Sequence, residues 1–434
     1  MTAAEKRLLA MRDLLAHARE RLGIEMSFVL WDGSTIPADL SPSALAIVIA
    51  DEGAIAALIR RPKLDTLLNL LVSARISLRN GTIFDLMAQR PRVRPKHALR
   101  ALNKTQALKT AARFLFVPRG GPWPLEAVRG DLAQRDGSEP ANRKNVQYHY
   151  DLSNEFYALF LDPEMVYSCA FFTEPHDDIA RAQRDKLDMI CRKLRLKPDE
   201  TFLDIGCGWG ALQIHAARHY GVRAHGVSLA DRQYTYAKEK IARLGLQDRV
   251  TIEFKDYSRL DGEFDKIASV GMFEHVGSGN YPLYFKTIHR LLKPGGLYLH
   301  HAIARPAKRT DREFFRKHSK EAHAVARYIF PAGELDHIGM STSNLERHGF
   351  EVHDVEGWRE HYARTTRLWH DRLLANQAAA EREVGAVKTC LWLIYLAGVS
   401  IGFERGRVGI FQTLASKRRR GASGVPLSRA DLYR

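Results

Sequence analysis

Apolar positions along the chain recur with two periods, and the switches between them mark out the elements. Leu8, Met11, Leu15, Ala18 and Leu22 repeat at helical spacing opposite Lys6, Arg7, Asp13 and Glu20, which predicts an amphipathic helix packed on its own domain. Residues 24–90 then read as a small α+β domain. IEMSFVLWDG is a strand ending in an Asp-Gly turn, SALAIVIA a buried strand, DEGAIAALIRRP a capped helix, and ISLRNGTIF two strands about an Asn-Gly turn. From Arg90 the pattern dissolves into basic, Pro- and Gly-bearing sequence, which predicts a basic helix inside a long linker over 91–144. The texture changes again at Asn145, where an aromatic-rich run looks like a lid or pocket wall, and a regular alternation of elements begins at Thr201. There Phe202, Leu203 and Ile205 run into Gly206, Gly208 and Gly210, and a helical pattern follows at once. Strand and helix alternate from there through AHGVS, DRQYTYAKEKIARLG, VTIEFKD, FDKIASVG and GGLYLHHAI, which predicts parallel βαβ units. The fold class is therefore α/β, a doubly wound sheet whose ligand crevice lies at the strand carboxyl ends, beside Gly206, Ser228, Asp256 and Glu274.

Composition narrows the partners. The chain has 434 residues and a formal net charge of +16, so an anionic partner is expected, either a membrane surface or a nucleic acid. The cysteines, Cys169, Cys191, Cys207 and Cys390, show no C-x-x-C spacing, so neither a zinc knuckle nor a disulfide framework is indicated, and a reducing cytoplasm fits. The N-terminus lacks a continuous apolar core and a cleavage site, unlike a secretory signal. The longest apolar run, Cys390 to Phe403, is 14 residues with two internal glycines, too short to span a bilayer. His215 and His219 stand at i, i+4 without a recognisable third ligand, so no metal is expected. The basic tail, KRRRGASGVPLSRADLYR, reads as a mobile end that could add contact to anionic headgroups.

The glycine loop carries the chemistry. Glycines let the backbone turn sharply and approach a ligand, and the helix behind them presents unpaired N–H groups. The third glycine comes too early for G-x-G-x-x-G, and no Lys-Ser/Thr pair ends a phosphate loop. An acid in the strand, Asp204, suits a cationic amino-acid cofactor. This D-x-G-x-G-x-G pattern resembles motif I of class I S-adenosylmethionine (SAM) methyltransferases. Together with NVQYHYDLSNEFYALFLDPEMVYSCAFF from Asn145, GMFEHVG from Gly271, LLKPGGLYLHHAI from Leu291 and YIFPAGEL from Tyr328, it resembles the cyclopropane-fatty-acyl-phospholipid synthase family. Mycolic acid cyclopropane synthases are similar over the same stretch, about 145–415. The first 90 residues resemble the variable N-terminal domain of bacterial members. The resemblance implies a Rossmann-like methyltransferase domain over 145–415 behind a smaller N-terminal α+β domain, and a basic tail over 416–434.

By the same resemblance, Tyr167, Ser168, Asp204, Gly206, Gly208, Gly210, Ser228, Gln233, Asp256 and Tyr257 contact SAM. Ser228 stands where most of the superfamily carries an acid, and Tyr257 where relatives often have Trp. The implied reaction moves the SAM methyl onto the double bond of an unsaturated acyl chain of a phospholipid and closes a cyclopropane ring. An alkene is a poor nucleophile, so the methyl must be held in line with it in a dry pocket. Aromatic faces can stabilise the resulting cation. A base must then take a proton from the added methyl. In the resembled family that base is bicarbonate, held at positions matching Cys169, Glu274, His301, Ile303 and Tyr362. On residue type alone, Glu274 is a strand-end carboxylate, His301 one of a pair that alternation splits between two faces, Tyr362 an undistinguished aromatic and Cys169 a small hydrophobe. Many relatives have a cysteine where this chain has Val399, so either that cysteine is dispensable or the reaction has drifted to methylation without ring closure. A basic nucleic-acid methyltransferase is the rival reading, although neither an RNA-binding module nor an N-P-P-[YFW] amine site is visible. A lipid-carrying module with a dead methyltransferase domain is disfavoured by the intact glycine loop and Glu274. The expected partner is an anionic phospholipid membrane, docked through Arg92, Arg94, Lys96, Arg100 and Lys109. The protein is expected to be cytoplasmic and peripheral at the inner face, with no nucleic acid bound and with a homodimer left open.

Overall fold

The computed structural model describes residues 1–23, 25–89, 103–126, 143, 152–316, 319–330 and 333–433. Two compact units emerge, Met1–Arg129 with Gly385–Ala397, and Gly130–Val384 with Gly398–Arg434.

In the first unit a helix over Ala3–Leu22 starts at a capping box between Thr2 and Glu5. Strands β1 (Ser27–Val29), β2 (Thr35–Ile36), β3 (Ala46–Ile49) and β4 (Ile76–Arg79) form a sheet in the order β2-β1-β3-β4. The Asp-Gly turn closes β1 onto β2, with the Leu30 N–H on the Ser34 carbonyl. The Asn-Gly pair does not join two strands. Asn80 takes φ +57° and ends β4, and Thr82 with Asp85 then caps a helix over Ile83–Ala88. A capping box three residues long outweighs the β-branched residues around it. Part of the predicted linker also belongs to this unit. A helix over Lys104–Phe114 buries Thr110 and Phe114, and Phe114 joins Met11, Ile55 and Leu70 in the core. Of the docking cations expected from sequence, Lys109 lies on this helix, whereas Arg92, Arg94, Lys96 and Arg100 lie outside the described residues.

The apolar run near the C-terminus, Cys390 to Phe403, belongs to a longer helix, Ala386–Glu404, that begins four residues before it. This helix has 19 residues and a mean hydropathy of 1.6, long and apolar enough to cross a membrane by length and composition. It buries Leu391, Trp392, Leu396 and Phe403 against protein, and Ser400 Oγ donates to the Ala363 carbonyl.

The second unit is built on a seven-stranded sheet. Strands β5 (Thr201–Ile205), β6 (Arg223–Ser228), β7 (Val250–Phe254), β8 (Phe264–Val270), β9 (Leu292–Ala304), β10 (Phe350–Gly357) and β11 (Gly409–Lys417) lie in the order β10-β11-β9-β8-β5-β6-β7. Only β11 runs against its neighbours. Both faces of the central strands are covered, so β5 and the second half of β9 are buried almost throughout, whereas β7 and β10 at the edges alternate with exposed positions. Phe202, Ala268, Leu299 and Leu414 face one core with the helices Ile179–Leu194 and Ala211–Tyr220. Leu203, Ile267, Tyr298 and Ala415 face the other with the helix Tyr281–Leu291. Each such large side chain taken from water contributes about 1.5–3 kcal/mol. Ile205 pairs with both Val227 and Ser269, and Val270 with His301, so the carboxyl ends of β5, β6, β8 and β9 stand side by side.

Candidate active site

The crevice forms where the chain leaves these strand ends. Gly206, Gly208 and Gly210 all take positive φ, +77°, +55° and +84°. A Cβ at Gly206 would lie 2.7 Å from Met272 Cγ, whereas one at Gly208 would meet nothing within 4 Å. The loop is therefore packed at its first glycine and open at its second, where a ligand can lie on the backbone. Gly210 starts the helix Ala211–Tyr220 and packs on Ala237 rather than lining the crevice. The other residues expected at the cofactor do line it: Tyr167, Ser168, Asp204, Gly206, Gly208, Ser228, Gln233, Asp256 and Tyr257. Including its mouth, the space is about 1300 Å³.

Polar groups around this crevice hold one another. Ser228 Oγ accepts from the Ala230 N–H at 3.1 Å and contacts Gln233 Oε1 at 3.4 Å. Asp256 Oδ1 accepts from the Ser258 N–H at 2.9 Å and its hydroxyl at 2.7 Å, fixing the turn that carries Tyr257. Lys186 was not expected from the sequence. It lies on the buried face of the helix Ile179–Leu194 and donates from Nζ to Ser168 Oγ at 2.9 Å. Burial pushes Asp204 up to about 7, opposed by the Lys186 charge, and pushes Lys186 down to about 8. From the same helix, Gln183 donates to the Ser168 carbonyl at 2.9 Å, so the helix sets the position of the segment 166–168.

A second cluster lies beside the crevice. Glu274, in a 3-10 turn after β8, is 3% exposed, and its Oε1 accepts the Ile303 N–H at 2.7 Å. Among the described residues Oε2 has no hydrogen-bond partner. Desolvation lifts the carboxyl to about 7. Ile303 thus acts here through its backbone, on Glu274. The two histidines of β9 go to opposite faces, as alternation requires. His300 meets the Tyr298 hydroxyl at 3.0 Å, whereas His301 sits edge-on to Trp358 with ring centroids 5.5 Å apart.

The tautomer of His301 follows from its neighbours. Lys193 Nζ, a donor only, is 2.8 Å from Gln412 Oε1, so the Gln412 NH₂ is the group that faces His301 Nδ1 at 3.0 Å. Nδ1 accepts, and the ring proton resides on Nε2, which has no partner among the described residues. Burial, aided by the charges of Lys186 and Lys193, holds the ring well below the ordinary histidine range, so it is neutral. Cys169 is fully buried with Trp358, Ala363 and Phe403, and Ile303, Tyr362 and Val399 pack against that cluster. Its Sγ lies 3.3 Å from the Ala170 carbonyl, and burial pushes the thiol up, away from thiolate.

Aromatic rings join the two clusters. Trp209 of the glycine loop meets Tyr157 at 5.1 Å, Tyr157 meets Tyr167 at 5.5 Å, and Tyr167 meets Trp369 at 5.1 Å. Tyr362 follows at 6.1 Å from Trp369 and 4.8 Å from Phe403. The arrangement provides a backbone cradle with a carboxyl beneath it, an aromatic wall, a buried carboxyl on Glu274 and a buried neutral imidazole on His301. Such a site can hold a cationic donor, exclude water and accept a proton.

Comparisons with known proteins identify the family. The family described as Mycolic acid cyclopropane synthetase matches residues 138–413. A "Probable fatty acid methyltransferase" of Pseudomonas putida is 34% identical over 424 residues, 97% of this chain and 99% of that protein. The cyclopropane-fatty-acyl-phospholipid synthase of Escherichia coli K12 is 41% identical over 227 residues, 52% of this chain and 56% of that one. Among solved structures, the cyclopropane synthase MmaA2 of Mycobacterium tuberculosis superposes with a TM-score of 0.60 at 29% identity, over 66% of this chain and all of that one. The mycolic acid cyclopropane synthase CmaA1, solved with SAH and CTAB, gives 0.59 at 33% identity over 63% and 98%. With the class I fold, the open glycine cradle and these matches together, the chain belongs to the mycolic acid cyclopropane synthetase family and is a SAM-dependent methyltransferase.

Proposed function

We propose that the protein methylates the double bond of an unsaturated fatty acyl chain of a membrane phospholipid and closes a cyclopropane ring, working as a cytoplasmic protein peripheral to the inner face of the membrane. The observation that carries this reading is the buried Glu274 carboxyl, held by the Ile303 N–H at a strand end beside the SAM cradle. When bound, SAM supplies an electrophilic methyl. The open space over Gly208 and the buried Asp204 carboxyl fit its cationic amino-acid part. Tyr167, which lines the crevice, and Trp369 and Tyr362 packed behind it supply π systems that can stabilise a cation on the acyl chain. In balance, one alkene carbon bonds to the methyl carbon as the sulfonium C–S bond breaks. The neighbouring carbon becomes the cation, and loss of a methyl proton supplies the electron pair that closes the ring. Glu274, lifted to about 7 and oriented by the Ile303 N–H, is a carboxyl poised to hold that proton. The His301 Nε2–H and Glu274 Oε2, both buried without a partner among the described residues, are the groups that would hold a bicarbonate, which would supply a general base when bound.

A second reading is methylation without ring closure. It is favoured by the near full-length similarity to the Pseudomonas putida protein and by Val399 packing against the Cys169 cluster. Incubation of the purified protein with SAM and vesicles of unsaturated phosphatidylglycerol, followed by mass and NMR analysis of the acyl chains, tests both. Cyclopropane protons support the first reading and a methyl branch the second. Unmodified chains overturn both.

A further inference from the structure

Resting on that reading, we propose that the exposed face of the helix Lys104–Phe114, with Leu115 and Phe116 beyond it, is the surface that inserts into an anionic lipid bilayer. The helix has two faces. Thr110 and Phe114 are buried in the core of the first unit. On the other side Leu108 is 71% exposed, Leu115 46% and Phe116 95%. Phe116 is held out rigidly, because Phe114 and Val117 on either side of it are core residues and Arg60 donates to the Val117 carbonyl. Large apolar side chains exposed to this degree cost free energy in water, and a surface that keeps them together marks a binding site.

Charge identifies the partner. Lys104, Leu108 and Ala112 follow one another at four-residue spacing, with Leu115 continuing the stripe, while Lys109 and Arg113 run alongside it. Apolar residues therefore run along the exposed face, with Lys104 at its start and Lys109 and Arg113 along one edge. No acidic residue occurs between Asn103 and Leu125. An apolar stripe with a basic edge fits the headgroup and acyl boundary of a membrane, where the side chains enter the hydrocarbon and the cationic groups meet phosphates.

The test is flotation of the full chain with vesicles of neutral phosphatidylcholine, alone or mixed with phosphatidylglycerol, at low and high salt. The wild type is expected to float with the anionic vesicles and less with the neutral ones. Leu108→Ser with Phe116→Ser should weaken partitioning at both salts by about tenfold or more. Lys104→Glu with Lys109→Glu should weaken it chiefly at low salt, where screening is least. Both pairs of substitutions are at exposed positions, and a circular dichroism spectrum and cooperative unfolding transition like those of the wild type confirm that each variant is folded. Wild-type flotation of both variants overturns the proposal. So does an apolar variant that floats normally but loses a dimer in sedimentation, since the face would then belong to a second copy of the chain. Flotation reads no turnover, so a protein that floats yet leaves acyl chains unmodified refutes the proposed reaction and not the surface.

Discussion

Replacing Glu274 by glutamine should stabilise the protein while disabling it, and pH should separate the two effects. The carboxyl is 3% exposed, and burial raises its pKa from the ordinary 4.5 to about 7 against the pull of the Ile303 N–H. At about 1.4 kcal/mol per pKa unit, ionising it in the fold costs about 3 kcal/mol more than in the unfolded chain. The sign follows from the folded value lying above the unfolded one. The cost is absent below pH 4.5, grows as pH rises, and is complete above about 7. Glutamine is neutral, nearly isosteric, and still offers an oxygen to Ile303. The variant should therefore gain about 2–3 kcal/mol at about pH 8 and almost nothing at about pH 4.5. Asp336, also lifted to about 7 and partly by the charge of Glu274, should titrate lower in the variant and add to the gain. Turnover should collapse, whereas in the wild type it should rise as pH passes through about 7. Denaturant unfolding followed by near-UV circular dichroism at the two pH values reads the stability difference. A loss of stability at the higher pH, or an equal change at both, would refute the reasoning.

Three further outcomes follow from the same geometry. Gly208→Val, at φ +55° with open space above it, should cost about 1–2 kcal/mol of stability. It should also raise the dissociation constant of SAM by about tenfold or more in calorimetry; an unchanged constant would displace the cofactor from this loop. Cys169→Ser should keep turnover, and the wild type should resist iodoacetamide near about pH 8, because the buried thiol is held away from thiolate. Gln412→Leu frees the tautomer of His301 and should lower kcat by about tenfold or more with the KM for SAM unchanged, and a variant as active as wild type would remove His301 from proton handling.

Local patterns in the sequence account for much of this. The strand, three glycines and helix at Thr201–Tyr220 are contiguous, so both the turn and the crevice it opens could be read directly. The alternation of elements predicted the parallel sheet, and the His-His pair on β9 was legible as one histidine to each face. Groups that reach the site from distant elements were not legible. Lys186 and Lys193 occupy apolar-face positions of one helix, and a lysine there reads as an irregularity until its partners Ser168, Glu356 and Gln412 are known. The placement of polar residues at buried positions of an amphipathic helix was the available signal. Asp336 is similar, since its value as a carboxyl depends on burial beside Ser341 and on Glu274, which sits far back in the chain. The helix Lys104–Phe114 was legible as a basic helix, but its place in the core of the first unit was not, because Thr110 and Phe114 are too few apolar anchors among its charges to read as a packed face.

The central claim is that the added methyl loses a proton as the ring closes. Its most direct test is turnover of unsaturated phosphatidylglycerol with SAM bearing a trideuterated methyl group. Cyclopropanation retains two of the three deuterons, on a ring carbon, with the chain no longer unsaturated. A methyl branch carrying all three, or label found only outside the acyl chains, would contradict it.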